Sequence, residues 1–277
     1  MSTPTPDLPD IVLVVFDTAR RDRFGCYGYE RMTTPTVDSL ATSGLMAETM
    51  ITNGPYTLPS HGSLFTGLFP TEHGSQWGTG PQLRESVELT MAEWARDLGY
   101  ETVCATNNGL ISSRTKLSRG FDRYGARLAL ERGPKRVSRR IKKVLFGGDS
   151  GGHIVNDWVR DQLKEVKGPL FLFVNYLECH WAYAPPPRYV RQLGGPKFRF
   201  PAGLAYRAST AARVGPWEAI ARADPKTLQI YSNLYDAELA NADGHLANLL
   251  EVLRGAGRLR DGNSIVLVTS DHGEHLG

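Results

Sequence analysis

The chain has 277 residues, of which 41% are hydrophobic and 22% charged, with a formal net charge of +3. That mixture excludes a disordered, collagen-like or low-complexity polymer. The charge is also local: Arg127 to Lys143 holds eight Lys/Arg and one acid, Glu131, and the rest of the chain carries 24 basic and 28 acidic residues, a balance of −4, so nothing in the charge suggests a general nucleic-acid-coating function.

In chain order, the opening MSTPTPDLPD has neither the basic start nor the apolar core of a signal peptide. Ile11–Phe16 is the longest strictly aliphatic–aromatic run and reads as a strand; at six residues it is far short of the roughly 18 that span a bilayer. Pro35 then starts a helix over 36–43. The stretch Gly54–Gly67, GPYTLPSHGSLFTG, contains a helix with Pro59 in its first turn and Thr57 just before it. Residues 88–98 predict a helix with Leu89, Ala92, Trp94, Ala95 and Leu98 as its apolar stripe, stopped by Gly99. Glu101–Thr106 and Leu170–Asn175 are further strands, separated by a basic, then glycine-rich segment, 127–150. Residues 181–217, rich in Pro, Gly, Arg and Tyr, form a second interruption. Asp224-Pro225 marks the N-cap and first residue of a helix that runs to Gly255 or Gly257, roughly 45 Å. Ser264–Thr269 is the last strand, followed at once by SDHGEHLG. A loop so rich in chemistry is a poor natural terminus, so the chain is expected to be incomplete there. The cysteines Cys26, Cys104 and Cys179 fit no disulfide framework or zinc ribbon, and the expected setting is reducing and cytoplasmic.

Continuous apolar strands alternating with helices predict an α/β fold with a largely parallel sheet whose strands are buried on both faces. The two irregular segments read as insertions at the sheet edge. Ligands of such sheets bind at the carboxyl ends of the strands. Reading those ends collects Asp17, Asn107, Asn108, Glu178, His180, Asp271, His272 and Glu274. Mixed oxygen and imidazole donors suit one divalent Mn, Zn or Fe ion better than Ca. Thr57 adds a hydroxyl at the positive end of a helix, where free N–H groups near Pro59–His61 favour an alkoxide and a bound anion. Each residue also has a plain structural reading: Asp17 or Thr57 as a helix cap, Asp271-His272 as a surface turn. Only their conjunction at one edge argues for chemistry.

The segments VLVVFDTARRDRFGCYGY, TTPTVDSLATSG, TLPSHGSLFTGLFPTEHG, GYETVCATNNG, ECHWAYAPP, YDAELANADGHLANLL and VTSDHGEHLG occur in this order over about residues 11–277 and resemble the N-terminal domain of the sulfatase family, in the alkaline-phosphatase superfamily. The resemblance implies an alkaline-phosphatase-like sheet sandwiched by helices, one catalytic domain over 1–277 that lacks a small C-terminal sheet and a further basic residue. It implies Asp17, Asp271 and His272 as metal ligands, Thr57 as metal-bound nucleophile, His180 as the residue that contacts the substrate or protonates the leaving group, and Asn107 where many sulfatases place an anion-binding lysine. His61 replaces an arginine of the nucleophile loop; it orients Thr57 or binds the anion, or, on the plain structural reading, only packs the helix. Thr57 itself replaces the Cys or Ser that is oxidised to formylglycine; its Cβ carries a methyl group, so no formylglycine is expected. Thr18 stands where a second aspartate is usual.

These departures favour a metal-dependent hydrolase or transferase of phosphate esters, small-molecule or lipid-head-group, over an arylsulfatase-like enzyme; an inactive binding module with the same fold is the third reading. No nucleic-acid partner is expected, and segment 127–143 is a candidate for weak contact with an anionic membrane.

Overall fold

The computed structural model describes residues 8–78, 80–126, 150–181, 183–193 and 224–276. The basic segment 127–143 and most of the insertions expected at 127–150 and 181–217 lie outside the described residues. In chain order the elements are β1 (Asp10–Phe16), α1 (Pro35–Ser43), α2 (Thr57–Thr66), α3 (Pro70–His73), α4 (Met91–Asp97), β2 (Glu101–Thr106), β3 (Arg123–Ala126), α5 (Gly152–Leu163), β4 (Leu170–Tyr176), α6 (Pro187–Gln192), α7 (Pro225–Gly255) and β5 (Ser264–Ser270).

All pairings in the five-stranded sheet are parallel, in the order β3-β2-β4-β1-β5. Phe16 pairs with both Tyr176 and Ser270, and Thr106 with Asn175, so four strands end at one level. The residues that follow them therefore meet at one edge. β1 shows why both sheet faces need cover. Val12, Val14 and Phe16 pack with Val155 and Val159 of α5 and with Leu239, Leu246 and Leu249 of α7. Leu13 and Val15, on the alternate face, pack with Leu58 and Phe65 of α2. Each such large side chain contributes about 1.5–3 kcal/mol of transfer free energy, which fixes α2 and α7 against opposite faces of the same strands.

Two expectations need correction. β5 is not buried on both faces: among the described residues it is an edge strand, Ile265 and Leu267 are 45% and 49% exposed, and only Val266 and Val268 pack against the core. Its continuous apolar run hid an alternation of burial. The helix expected over 88–98 is only α4, because Thr90 forms a capping box, accepting from the Glu93 N–H while Glu93 accepts from its own. Ala92 and Ala95 are buried there, whereas Leu89, Trp94 and Leu98 face solvent. The long helix is as expected, with Asp224 accepting from Lys226 and Thr227 at its start.

Candidate active site

Asp17 leaves the end of β1 with its carboxylate fully buried. Its Oδ2 accepts from Asn108 Nδ2 at 2.7 Å and from Asn175 Nδ2 at 3.2 Å. Its Oδ1 is buried and has no partner. Asp271, just beyond β5, repeats the pattern: Oδ1 accepts from the Thr18 and His272 N–H groups, both at 2.9 Å, and Oδ2 has no hydrogen bond, with His272 Nε2 at 3.4 Å and His61 Nδ1 at 3.5 Å. The carbonyl of Asp271 is held by Ser60 Oγ of α2 and by Thr52 Oγ1. His272 Nδ1 lies 2.8 Å from the Gly273 carbonyl, which can only accept, so the proton sits on Nδ1 and Nε2 presents its lone pair, buried and unpartnered. One ligand atom from each of Asp17, Asp271 and His272 lies within 4.8 Å of the others.

Two carboxylates buried side by side are expensive as anions. Burial pushes the Asp17 carboxyl up, and the neighbouring Asp271 pushes it further. Burial likewise raises Asp271. Three orphaned, convergent donor atoms and uncompensated negative charge fit a divalent cation, and mixed O/N donation is the chemistry expected of one. Asp17, Asp271 and His272 would hold it.

Thr57 is the first residue of α2 rather than the residue before it; Tyr56 is the N-cap, in extended conformation. The hydroxyl therefore does not cap the helix. Its Oγ1 accepts from Asn108 Nδ2 at 3.3 Å. Pro59 has no N–H and the Ser60 N–H is bonded to the Tyr56 carbonyl, so the free donors expected near Pro59–His61 are instead those of Thr57 and Leu58, whose N–H groups have no acceptor among the described residues. A Cβ on Gly54 would lie 2.5 Å from Pro59, so only glycine lets the preceding loop fold over this helix start.

His61 is fully buried, edge-on to Phe65 and Phe173, and its Nδ1–H donates to the Thr57 carbonyl at 3.1 Å. Burial pushes its pKa down to about 4, so the ring is neutral. Its contacts with Phe65, Phe173 and the Thr57 carbonyl are packing contacts within α2 and against β4, and none of them reaches the Thr57 hydroxyl. His180 donates from Nδ1 to the Trp181 carbonyl at 2.6 Å, leaving Nε2 as the basic nitrogen. It acts electrostatically on both Asp17 and Glu274. The Asn107 side chain donates to the Ser150 carbonyl at 3.2 Å. It is Asn108, its neighbour, that reaches Asp17 and Thr57.

Sequence reasoning gave no individual role in the site to four residues here. Asn108 and Asn175 clamp Asp17. Buried Glu274 accepts from the Trp181 N–H and so ties the loop carrying His180 to the loop carrying His272. Thr18 is a β-branched residue at φ 61°, an uncommon and strained conformation. It holds that shape because its N–H donates to Asp271 and its carbonyl accepts from Tyr235. Asn108 and Glu274 stood among the strand-end residues already; nothing in the sequence marks the strain at Thr18.

Residues 9–277 match the sulfatase family profile. The chain belongs to the sulfatase family. It is 22% identical over 317 aligned positions to an arylsulfatase of Klebsiella aerogenes, covering 96% of this chain and 66% of that one. It is 34% identical over 107 residues to an ulvan-active sulfatase of Formosa agariphila, 38% of this chain and 20% of the relative. Among solved structures, a phosphonate monoester hydrolase of Agrobacterium radiobacter superposes with a TM-score of 0.72 at 18% identity, covering 97% of this chain and 63% of that one. The C-terminal periplasmic domain of Escherichia coli EptC, in complex with Zn, gives 0.62 at 20% identity, covering 99% and 67%. These structural likenesses establish the fold: an α/β, alkaline-phosphatase-like sheet. The chain thus spans from a fifth to about two thirds of the length of these curated sulfatase relatives.

Proposed function

We propose that this sulfatase-family protein is a metal-dependent hydrolase of phosphate esters that works through Thr57. One observation carries the reading: the Thr57 hydroxyl sits in the first turn of α2, and one amide, Asn108, donates to both that hydroxyl and Asp17. That shared amide supports reading Thr57 Oγ1 as a nucleophile next to the candidate cation site.

The bound cation would lower the pKa of a nearby hydroxyl and offset charge on the phosphoryl oxygens. The chain does the rest. Thr57 Oγ attacks phosphorus, and the Thr57 and Leu58 N–H groups face the equatorial oxygens. His180, protonated at Nε2, gives that proton to the departing oxygen. Water then attacks the phospho-threonine, passing a proton back to His180. Because Thr57 Cβ carries a methyl group, the formylglycine route is closed and release proceeds by hydrolysis at phosphorus. A phosphate monoester or diester is the substrate class that such a threonine ester can turn over, and Mn, Zn or Fe suits the donors.

The test is turnover of an aryl phosphate, a bis-aryl phosphate and an aryl sulfate side by side, with Mn²⁺ or Zn²⁺, by the purified protein and by Thr57→Ala. Phosphoester turnover lost in the variant supports the reading. Turnover of the sulfate alone, dependent on Thr57, overturns it in favour of a sulfuric ester hydrolase. No turnover and no bound metal would leave a binding module.

A further inference from the structure

We infer that Asn108 is a catalytic residue of this site: its amide N–H holds Thr57 Oγ1 as a hydrogen-bond acceptor, favouring that oxygen as an anion both when it attacks phosphorus and when it departs. The inference rests on the reading of Thr57 as nucleophile.

The orientation of the Asn108 amide is fixed by its neighbours. Its Oδ1 accepts from the Leu110 N–H at 2.9 Å, a group that can only donate, so the amide cannot be flipped. Nδ2 therefore faces the site with two hydrogens and two acceptors, Asp17 Oδ2 at 2.7 Å and Thr57 Oγ1 at 3.3 Å. The main chain is pinned as well, the Asn108 N–H donating to Thr106 Oγ1 at 2.9 Å, and Thr106 donates in turn to Asn175 Oδ1 at 3.1 Å. Asn108 is only 6% exposed. A buried, rigid, preoriented donor loses little on reorganisation and acts in a low dielectric.

A donor aimed at a hydroxyl oxygen favours its charged form. The Thr57 proton passes to solvent, and the Oγ electron pair forms the P–O bond as the bond to the leaving oxygen breaks, that oxygen taking a proton from His180. In the second half water oxygen bonds to phosphorus and gives its proton to His180, while the P–Oγ pair returns to Oγ. The same N–H meets Oγ at both points where it carries charge, so Asn108 assists formation and cleavage of the ester alike. The competing role is purely structural, holding Asp17 for the cation.

Asn108→Ser separates the two. Serine still offers the Leu110 N–H an oxygen, so the turn is kept, but it cannot reach Thr57. Its circular dichroism and melting temperature confirm the fold. With 4-nitrophenyl phosphate, rapid-quench kinetics at saturating Mn²⁺ should show phospho-threonine formation and kcat both down about 100-fold with KM little changed, the scale of losing one oxyanion donor. Adding more Mn²⁺ should not restore them. Turnover within about twofold of the parent while Thr57→Ala is dead would overturn the inference and leave the nucleophile standing. Full recovery by excess Mn²⁺ would overturn it in favour of the structural role. Phosphate turnover by Thr57→Ala would remove both readings together.

Discussion

Two buried carboxylate centres in this molecule are solved in opposite ways. Asp236, in the middle of α7, has no exposed surface, yet it is met by Arg23 at 3.2 Å, Arg31 at 2.5 Å and the Tyr29 hydroxyl at 2.6 Å. Its charge is balanced from within the chain. Asp17 and Asp271 are as deeply buried, but their neighbours are amides, backbone N–H groups and imidazoles, and one oxygen of each is left over. Both centres are hydrogen-bonded; only one is electrically closed. The open one lies at the carboxyl edge of the sheet, and on the proposed reading a bound cation closes it.

That contrast can be broken by substitution. Asp17→Asn should lower turnover by about 10³-fold or more, the scale of electrostatic stabilisation at a reacting centre, and should bring metal content to background by elemental analysis. Without metal it should melt at or above the parent's temperature, because it removes a buried charge. Asp236→Ala should do the reverse, costing about 3–5 kcal/mol in urea unfolding by stranding two arginines, with metal stoichiometry unchanged in whatever fraction remains folded.

Protons sharpen the comparison further. His61 is held neutral in the folded chain, with a pKa near 4 against 6.5 when unfolded. The unfolded chain therefore takes up the proton first, so its contribution is full above pH 6.5 and is lost as pH falls toward 4. The loss should approach about 3 kcal/mol, and urea titrations across that range should show it flattened in His61→Gln. The smallest expected effect is on the parent itself. Divalent cation at about a hundred times its dissociation constant should stabilise by about 2.7 kcal/mol, visible as a raised melting temperature that Asp17→Asn does not show.

Much of this was legible in the residues, for physical reasons that also mark the limits. The strand Glu101–Thr106 reads directly because its apolar run is bounded by Gly99 and Asn107. Ligand atoms of Asp17, Asp271 and His272 lie close together, in keeping with their strand-end positions, and Asn108 links Asp17 to Thr57. The family resemblance singled out Asn107, whereas it is Asn108 that contacts Asp17 and Thr57. Once the chain leaves β2 the pleat no longer dictates side-chain direction, and the choice is made by Thr106 and Leu110 gripping Asn108. Composition could not show that β5 is covered on one face, since Ile265 and Val266 are equally apolar and differ only in what lies opposite. In α4 a three-residue cap outweighed the apolar spacing that suggested an earlier start.

Thr18 adds a last consequence. Its left-handed backbone costs of order 1–3 kcal/mol in an L-residue with a branched Cβ, and glycine would relieve it. A heat-challenge library scored only on survival should therefore enrich Thr18→Gly early. The same substitution frees the hinge that presents one amide to Asp271, so thermotolerance gained there would be traded against the sharpness of the metal cradle.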